Sequence, residues 1–226
     1  MTLRSGPFKL PWLRKDSRKN DPYWDFFINT PPADLANTVT DLIRNAPPGN
    51  VFPTKADIHT PEITSSHVKE MACYFGADLV GIAKLLSPLP SPKGRGDSNA
   101  ASLAPVLPSP PGRGEGEGLV EEYPFAVVCA VRAEYDPRTA PGIGGQVPVQ
   151  NGLFITFVLS AWIRELGFHA TPAQDPDAEK LAEIAGLGKL DAAGRLVTRQ
   201  YGTQVHVVDI IRTDLPLAAD GSASEP

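Results

Sequence analysis

Ala182-Glu183-Ile184-Ala185-Gly186-Leu187-Gly188-Lys189, then Gly194-Arg195-Leu196-Val197-Thr198, then Thr213-Asp214-Leu215-Pro216-Leu217 form the stretch on which the fold turns. It reads as a helix broken at a Gly-x-Gly turn, a tight irregular loop, and a β-strand that ends in Asp-Leu-Pro-Leu. Glycine has no Cβ, so Gly186 and Gly188 let the main chain approach a bulky ligand closely. Taken alone, the same pair also fits a helix C-cap followed by a turn.

Outward from this stretch, helices and strands alternate. Val205 to Thr213 reads as the last strand. Ala178, Leu181, Ala182 and Ala185 make the buried stripe of the helix before the bend, with Pro176 in its first turn and Asp175 as a cap. His169-Ala170-Thr171 looks like a short strand. A long helix runs from about Val149 to Glu165, with Leu153, Phe157, Ser160 and Ala161 on one face. Phe154, Val158 and Trp162 widen that face, and Gly167 stops the helix. Asp136 to Pro148, including Gly142-Ile143-Gly144-Gly145, reads as a loop; it lacks the Lys-Ser/Thr pair of a phosphate-binding loop. Phe125 to Val131 is a continuous apolar run suited to a central strand. Nearer the N-terminus, a helix starts at the Thr64-Ser65-Ser66 cluster, buries Val68, Met71, Ala72 and Phe75, stops at Gly76 and leads into a strand from Leu79 to Ile82. Another helix runs from about Ala33 through Leu35, Val39, Leu42, Ile43 and Ala46 until Pro47-Pro48-Gly49. The first thirty or so residues read as an extended arm pinned by Tyr23, Trp24, Phe26 and Phe27. Several connections are too short for parallel crossovers, so an α+β, or mixed α/β, sandwich is favoured over a doubly wound sheet.

Between Ser87 and Gly118 the character changes, with seven Pro, six Gly and no aromatic residue. Leu89-Pro90-Ser91-Pro92-Lys93-Gly94-Arg95-Gly96 nearly repeats as Leu107-Pro108-Ser109-Pro110-Pro111-Gly112-Arg113-Gly114. Such a segment buries too little apolar area to offset its ordering entropy, which predicts disorder. A polyproline ligand is the functional reading; an inserted repetitive element is the plainer one. Removing it would leave a surface loop between two strands.

The net charge of -5 lacks the basic stripe of a nucleic-acid binder. Arg14, Lys15, Arg18 and Lys19 read as a solvated tail. No stretch reads as a membrane span or an export signal, and a cytoplasmic location follows. Cys73 and Cys129 read as buried free thiols, and two cysteines cannot hold a four-thiolate iron–sulfur cluster. His59, His67, His169 and His206 have no zinc-binding spacing, so no metal site is expected. His206 reads as a satisfied sheet histidine. His169 is placed either at an edge strand or near a cofactor.

Three blocks in order resemble the reductive dehalogenases and epoxyqueuosine reductases: His67 to Ile82, Tyr123 to Pro172, and Ala182 to Leu217. The resemblance implies a nitroreductase-like sheet flanked by helices and a bound corrinoid (cobalamin). It divides the chain into an N-terminal arm and helix (1–60), a corrinoid-binding domain (61–217) interrupted by the low-complexity insert (87–118), and a flexible tail (218–226). The corrin would lie along Gly186, Leu187, Gly188, Gly194, Leu196, Thr198, Tyr201 and Gly202, in an apolar slot with many backbone donors and acceptors. Two departures bear on activity. The cysteine-rich electron-transfer module of these families does not follow Asp-Leu-Pro-Leu here, which implies a separate iron–sulfur donor. Asn151 or Gly152 stands where the families place a proton donor, and neither Tyr135 nor Asp136 replaces it, so the catalytic residues are unknown. Two other readings stay open: a remnant or scaffold that binds nothing, and a flavin-binding protein.

Overall fold

The computed structural model describes residues 21–31, 39–47, 49–85 and 123–222. The predicted arm up to residue 20, the helix start at Ala33 and Leu35, and the Pro/Gly-rich insert lie outside them.

The chain order is α1 (Pro22–Asn29), α2 (Val39–Arg44), α3 (Pro61–Tyr74), β1 (Leu79–Lys84), β2 (Phe125–Arg132), α4 (Ile143–Glu165), β3 (Ala170–Ala173), α5 (Ala178–Ile184), β4 (Lys189–Leu190), β5 (Leu196–Val197) and β6 (Val205–Thr213), then a 3₁₀ turn at Asp220–Ser222. Four strands pair antiparallel in the order β1-β2-β6-β3, and β4 and β5 form a separate hairpin. This is the mixed α+β architecture that the short connections imply, and β2 is central as its apolar run predicts.

Strand alternation divides the core in two. Val127, Cys129 and Val131 of β2 pack with Ile155, Leu159 and Ile163 of α4 and with Val68 and Ala72 of α3. Ala126, Val128 and Ala130 face the opposite way, onto Ala178, Ala182 and Ala185 of α5. Each fully buried Ile or Leu contributes about 1.5–3 kcal/mol. The α5 side uses small residues, so helix and sheet lie close: a Cβ on Gly81 would stand 2.7 Å from the Ala185 carbonyl oxygen. On β6 the register with β2 shifts between the Val128–Ile210 and Ala130–Val207 pairs. This bulge carries one extra residue and re-aims the strand. Val205, Val207 and Ile210 pack on the α5 side, whereas Ile211 packs on the α4 side.

Several elements begin earlier than their sequences suggest. Thr60 stands at the N-cap position of α3 without a side-chain capping bond, and Pro61 occupies the first turn, where a missing N–H costs nothing. Thr64 and Ser65 are therefore buried helix residues, and Gly76 ends the helix at φ +109°. The first residues are not all extended, because Pro22–Asn29 is helical, with the Asp21 carboxylate accepting from Tyr23 N at 2.9 Å.

The Gly142–Gly145 loop is in fact the start of α4. A Cβ on Gly145 would lie 1.9 Å from the Ala140 oxygen, and one on Gly144 would lie 2.6 Å from the Phe27 ring. These glycines serve close packing rather than flexibility. Pro148 sits inside α4, forfeiting one bond near the helix start. By length and composition alone, α4 is long and apolar enough to cross a membrane. A helix buried in a protein core has the same length and composition. Here α4 spreads over the sheet and buries Leu153, Ile155, Leu159 and Ile163.

The predicted tail is held as far as residue 222. Ser65 Oγ accepts from Ala218 N at 2.8 Å, and the Asp220 carboxylate bonds Ile82 N at 2.8 Å and Lys69 Nζ. Of the two cysteines, Cys129 is buried and Cys73 is exposed. Burial pushes the Cys129 thiol up to about 12.

Candidate functional site

The glycine bend is built by α5 and the hairpin after it. Gly186 N bonds the Glu183 oxygen at 2.9 Å and Leu187 N bonds the Ala182 oxygen at 3.0 Å. With Gly186 at φ +74°, this is a left-handed helix stop. It turns the chain so that Leu187 packs beneath the sheet with Leu190 and Tyr201. The segment read as an irregular loop is a β-hairpin, with Lys189 opposite Val197 and Leu190 opposite Leu196. Two glutamates of α5 hold its strands: Glu183 Oε1 accepts from Leu190 N at 3.0 Å, and Glu179 Oε2 accepts from Leu196 N. The Asp191 carboxylate closes the turn by accepting from Ala193 N (2.8 Å), Arg195 N and Arg195 Nε (both 2.9 Å). The backbone bond from Arg195 is the main cause that holds its carboxyl below the usual carboxylate range. Thr198 and Gly202 then exchange two backbone bonds of 2.9 Å, and Thr198 Oγ1 accepts from Tyr201 N at 3.1 Å.

All eight residues assigned to the slot thus lie in one contiguous excursion on the α5 face, but they differ in what they offer. Leu196 and Thr198 are buried, and Leu187 and Tyr201 are half-buried against the core. A Cβ built on Gly186, Gly194 or Gly202 would meet no atom within 4 Å. At these three positions the backbone has open space beside it. Gly188 differs, since a Cβ there would stand 2.3 Å from the Val197 oxygen. Its missing side chain makes room for the hairpin partner. Many N–H groups expected to serve a ligand already bond α5 or the excursion itself: those of Gly186, Leu187, Leu190, Asp191, Ala193, Arg195, Leu196, Thr198, Tyr201 and Gly202.

Two hollows lie outside the excursion. A cavity of about 610 Å³ sits between α2, α4 and β3. Its wall carries Arg164, Asp209, Arg44 and His169 beside Leu153, Phe157 and Pro172. Arg44 Nη2 is 3.5 Å from Asp209 Oδ1, and that oxygen has no hydrogen-bond partner among the described residues. Charge attraction holds the pair. Burial pushes the Asp209 carboxyl up, and Arg44 opposes that shift. Arg164 is 8% exposed and donates from Nη1 to the Ala170 oxygen at 2.7 Å. Burial pulls its pKa down. Sequence placed Leu153, Phe157 and Ser160 on one helix face without exposing this cavity, because α2 and β3 close it from distant parts of the chain. A second hollow of about 440 Å³ lies between the β3–α5 turn and β6. There the Asp175 carboxylate accepts from Arg212 Nη2 and from Asp177 N at 2.9 Å. Asp175 therefore braces the turn ahead of the helix cap, which is Asp177, and Pro176 precedes α5 rather than entering it.

His169 is exposed and lies on the larger cavity. His206 is not satisfied as read from sequence, because its Nδ1 is buried without a partner among the described residues. Its imidazole is pulled down to about 4, chiefly by burial and then by Arg138, with Asp136 opposing. Among the described residues no group of three or more His, Cys, Asp or Glu side chains could hold a metal ion. Asn151 is exposed, and Gly152 is buried where a Cβ would stand 2.6 Å from Val208.

No family model and no curated protein matches the chain. Solved structures do. A reductive dehalogenase structure described as suggesting a mechanism for B12-dependent dehalogenation aligns at 22% identity and TM-score 0.54, covering 80% of this chain and 23% of that one. The catabolic reductive dehalogenase NpRdhA, N-terminally tagged, aligns at 22% identity and TM-score 0.56 with the same coverage. Its complex with 3-bromo-4-hydroxybenzoic acid aligns at 21% identity and TM-score 0.54. The chain spans less than a quarter of the length of these proteins, and over four-fifths of its own length its fold is similar to the matching part of these reductive dehalogenases.

Proposed function

We propose that this chain is a corrinoid-binding, reductive-dehalogenase-like protein that holds its cofactor at the glycine-rich excursion after α5. The fold shared with a B12-dependent reductive dehalogenase carries this reading, and the resemblance of the three sequence blocks supports Gly186 to Gly202 as the cradle. At Gly186, Gly194 and Gly202 open space lies beside the main chain, which leaves room for the edge of a ligand. Gly188 offers no such room, because the hairpin fills its free side. A bound corrinoid supplies a strongly nucleophilic reduced cobalt. Leu187, Leu196, Thr198 and Tyr201 set the shape of the excursion, and Glu179 and Glu183 fix it to α5. Electrons come from an iron–sulfur donor, and neither Asn151 nor Gly152, at the position where the resembled families carry a proton donor, can serve as an acid.

One observation favours a second reading, a scaffold that keeps the fold and binds no corrinoid: the excursion bonds most of its own N–H groups. Titration of hydroxocobalamin into the purified chain separates the two. Binding gives a saturable change in the cobalamin absorption spectrum, and Gly186→Asn weakens it. Asparagine tolerates the left-handed backbone at position 186, so the variant adds a side chain to the open space and leaves the fold intact. A spectrum unchanged across the titration would establish the scaffold reading; yellow flavin retained through purification would point to a nitroreductase-like protein.

A further inference from the structure

His59 and His67 meet on the surface, and the corrinoid reading uses neither. His59 lies in the segment ahead of α3, and His67 lies in the second turn of that helix. Their ring centres are 5.5 Å apart, with the planes at 81°. Local structure fixes this meeting. The His59 carbonyl oxygen accepts from Thr64 Oγ1 at 3.3 Å, and Thr64 N bonds the Thr60 oxygen at 2.9 Å. Thr64 is itself buried, so the turn that carries His59 is tied to the packed side of the helix. The backbone ordering that brings two ligands together is thus already met by the fold. Both histidines are exposed, so each ring can turn a nitrogen toward a shared ion without disturbing the core. Imidazole suits borderline divalent ions such as Zn²⁺, Ni²⁺ and Cu²⁺. With Zn–N bonds of about 2.0–2.1 Å, two imidazoles on one tetrahedral ion have ring centres about 5 Å apart. The observed separation matches a shared ion. Charge on this face also favours a cation: Glu70 is exposed one turn beyond His67. Lys69, the only Lys or Arg of α3, is instead paired with Asp220.

We propose that His59 and His67 clamp one divalent transition-metal ion and so pin the segment ahead of α3 to the helix. Among the described residues no third His, Cys, Asp or Glu joins them, and water completes the coordination. Two protein ligands make an open, exchangeable site rather than a closed structural one. It holds whether or not a corrinoid binds.

Titration of the metal-free full chain with Zn²⁺, read by calorimetry and by the histidine ring signals in proton NMR, tests it. One ion per chain is expected, moving the His59 and His67 signals together and leaving those of His169 and His206 in place. Mg²⁺ takes oxygen ligands and should move none of them. His59→Gln and His67→Gln should each weaken Zn²⁺ at least about tenfold, a loss that even removing a hydrogen bond behind a metal ligand can reach. The double variant should not bind. Cys73, exposed on the same helix, is the competing ligand, and Cys73→Ser should leave the affinity unchanged. All these side chains but the metal pair's partners in the turn are left intact, so circular dichroism should stay native throughout. Absence of binding, an equal response to Mg²⁺, binding that survives the double substitution, or its loss in Cys73→Ser would each overturn the proposal.

Discussion

Gly186 and Gly188 look interchangeable in sequence, yet they answer to different forces. Gly186 needs a left-handed backbone and has open space beside it, whereas Gly188 has its partner strand against it. Gly188→Ala should cost about 1–3 kcal/mol in urea denaturation, because the new methyl group strikes the Val197 carbonyl. Gly186→Asn should cost under about 1 kcal/mol. A Gly188 variant that lost cofactor uptake would therefore report a broken hairpin, and the Gly186 variant is the informative one. His206 makes a different prediction. The unfolded imidazole takes its proton near 6.5, the folded one only near 4. Between those values the unfolded chain binds more protons, so the stability contributed by the neutral ring is full above pH 6.5 and is lost as pH falls toward 4. Asp136 and Arg138 face this ring. Asp136, held below its usual value, begins to lose its contribution only at lower pH. Asp209 is shifted upward and works in the opposite direction. The comparison of wild type with His206→Gln isolates the histidine: the variant should show a flatter stability curve between pH 6.5 and 4, by at most about 1.4 kcal/mol per pH unit.

At the scale of elements, what the sequence disclosed and what it hid follow from how local the determining force is. The β6 strand, the central β2 strand and the Gly76, Gly167 and Gly186 stops depend on neighbours in the chain, and their patterns are readable. The start of α4 depends on Phe27 and Ala140 closing over Gly144 and Gly145, a contact that no local pattern announces, so a glycine-rich run looks like a loop. The β4–β5 hairpin was hidden for the same reason. Its strands have two residues each, too few for alternation to register, and α5 sets them through Glu179 and Glu183. Of the candidate site, the contiguous excursion was legible, whereas the Arg164 cavity was not, because α2, α4 and β3 contribute to it from well-separated positions. If Glu179 and Glu183 anchor the hairpin, replacing both with Gln should weaken that anchoring without abolishing it, since an amide oxygen still accepts. Hydrogen exchange at Leu190 and Leu196 should speed up severalfold, while Val127 and Val128 stay protected.

Across the whole molecule, β1 is an edge strand, and edge strands leave backbone groups exposed to unwanted pairing. The chain closes this edge with its own C-terminal turn, where the Asp220 carboxylate takes Ile82 N. Asp220→Ala should cost about 1–3 kcal/mol by stranding that donor, read as a lower urea midpoint. The other end of β1 governs the insert. The β1–β2 ladder is unbroken to Lys84 opposite Phe125, and Leu85 N still bonds the Pro124 oxygen at 2.8 Å. Positions 86–122 therefore join two strands that are already in register. Deleting residues 87–118 leaves five residues to connect them, a length at which antiparallel hairpins close readily. Shortening the connection from 37 to five residues changes the closure term, (3/2)RT ln n, by about 1.8 kcal/mol in favour of folding. The deletion should leave the melting temperature unchanged or raise it by a few degrees. A fall of several degrees would show that the repetitive segment contributes contacts that offset its own closure entropy.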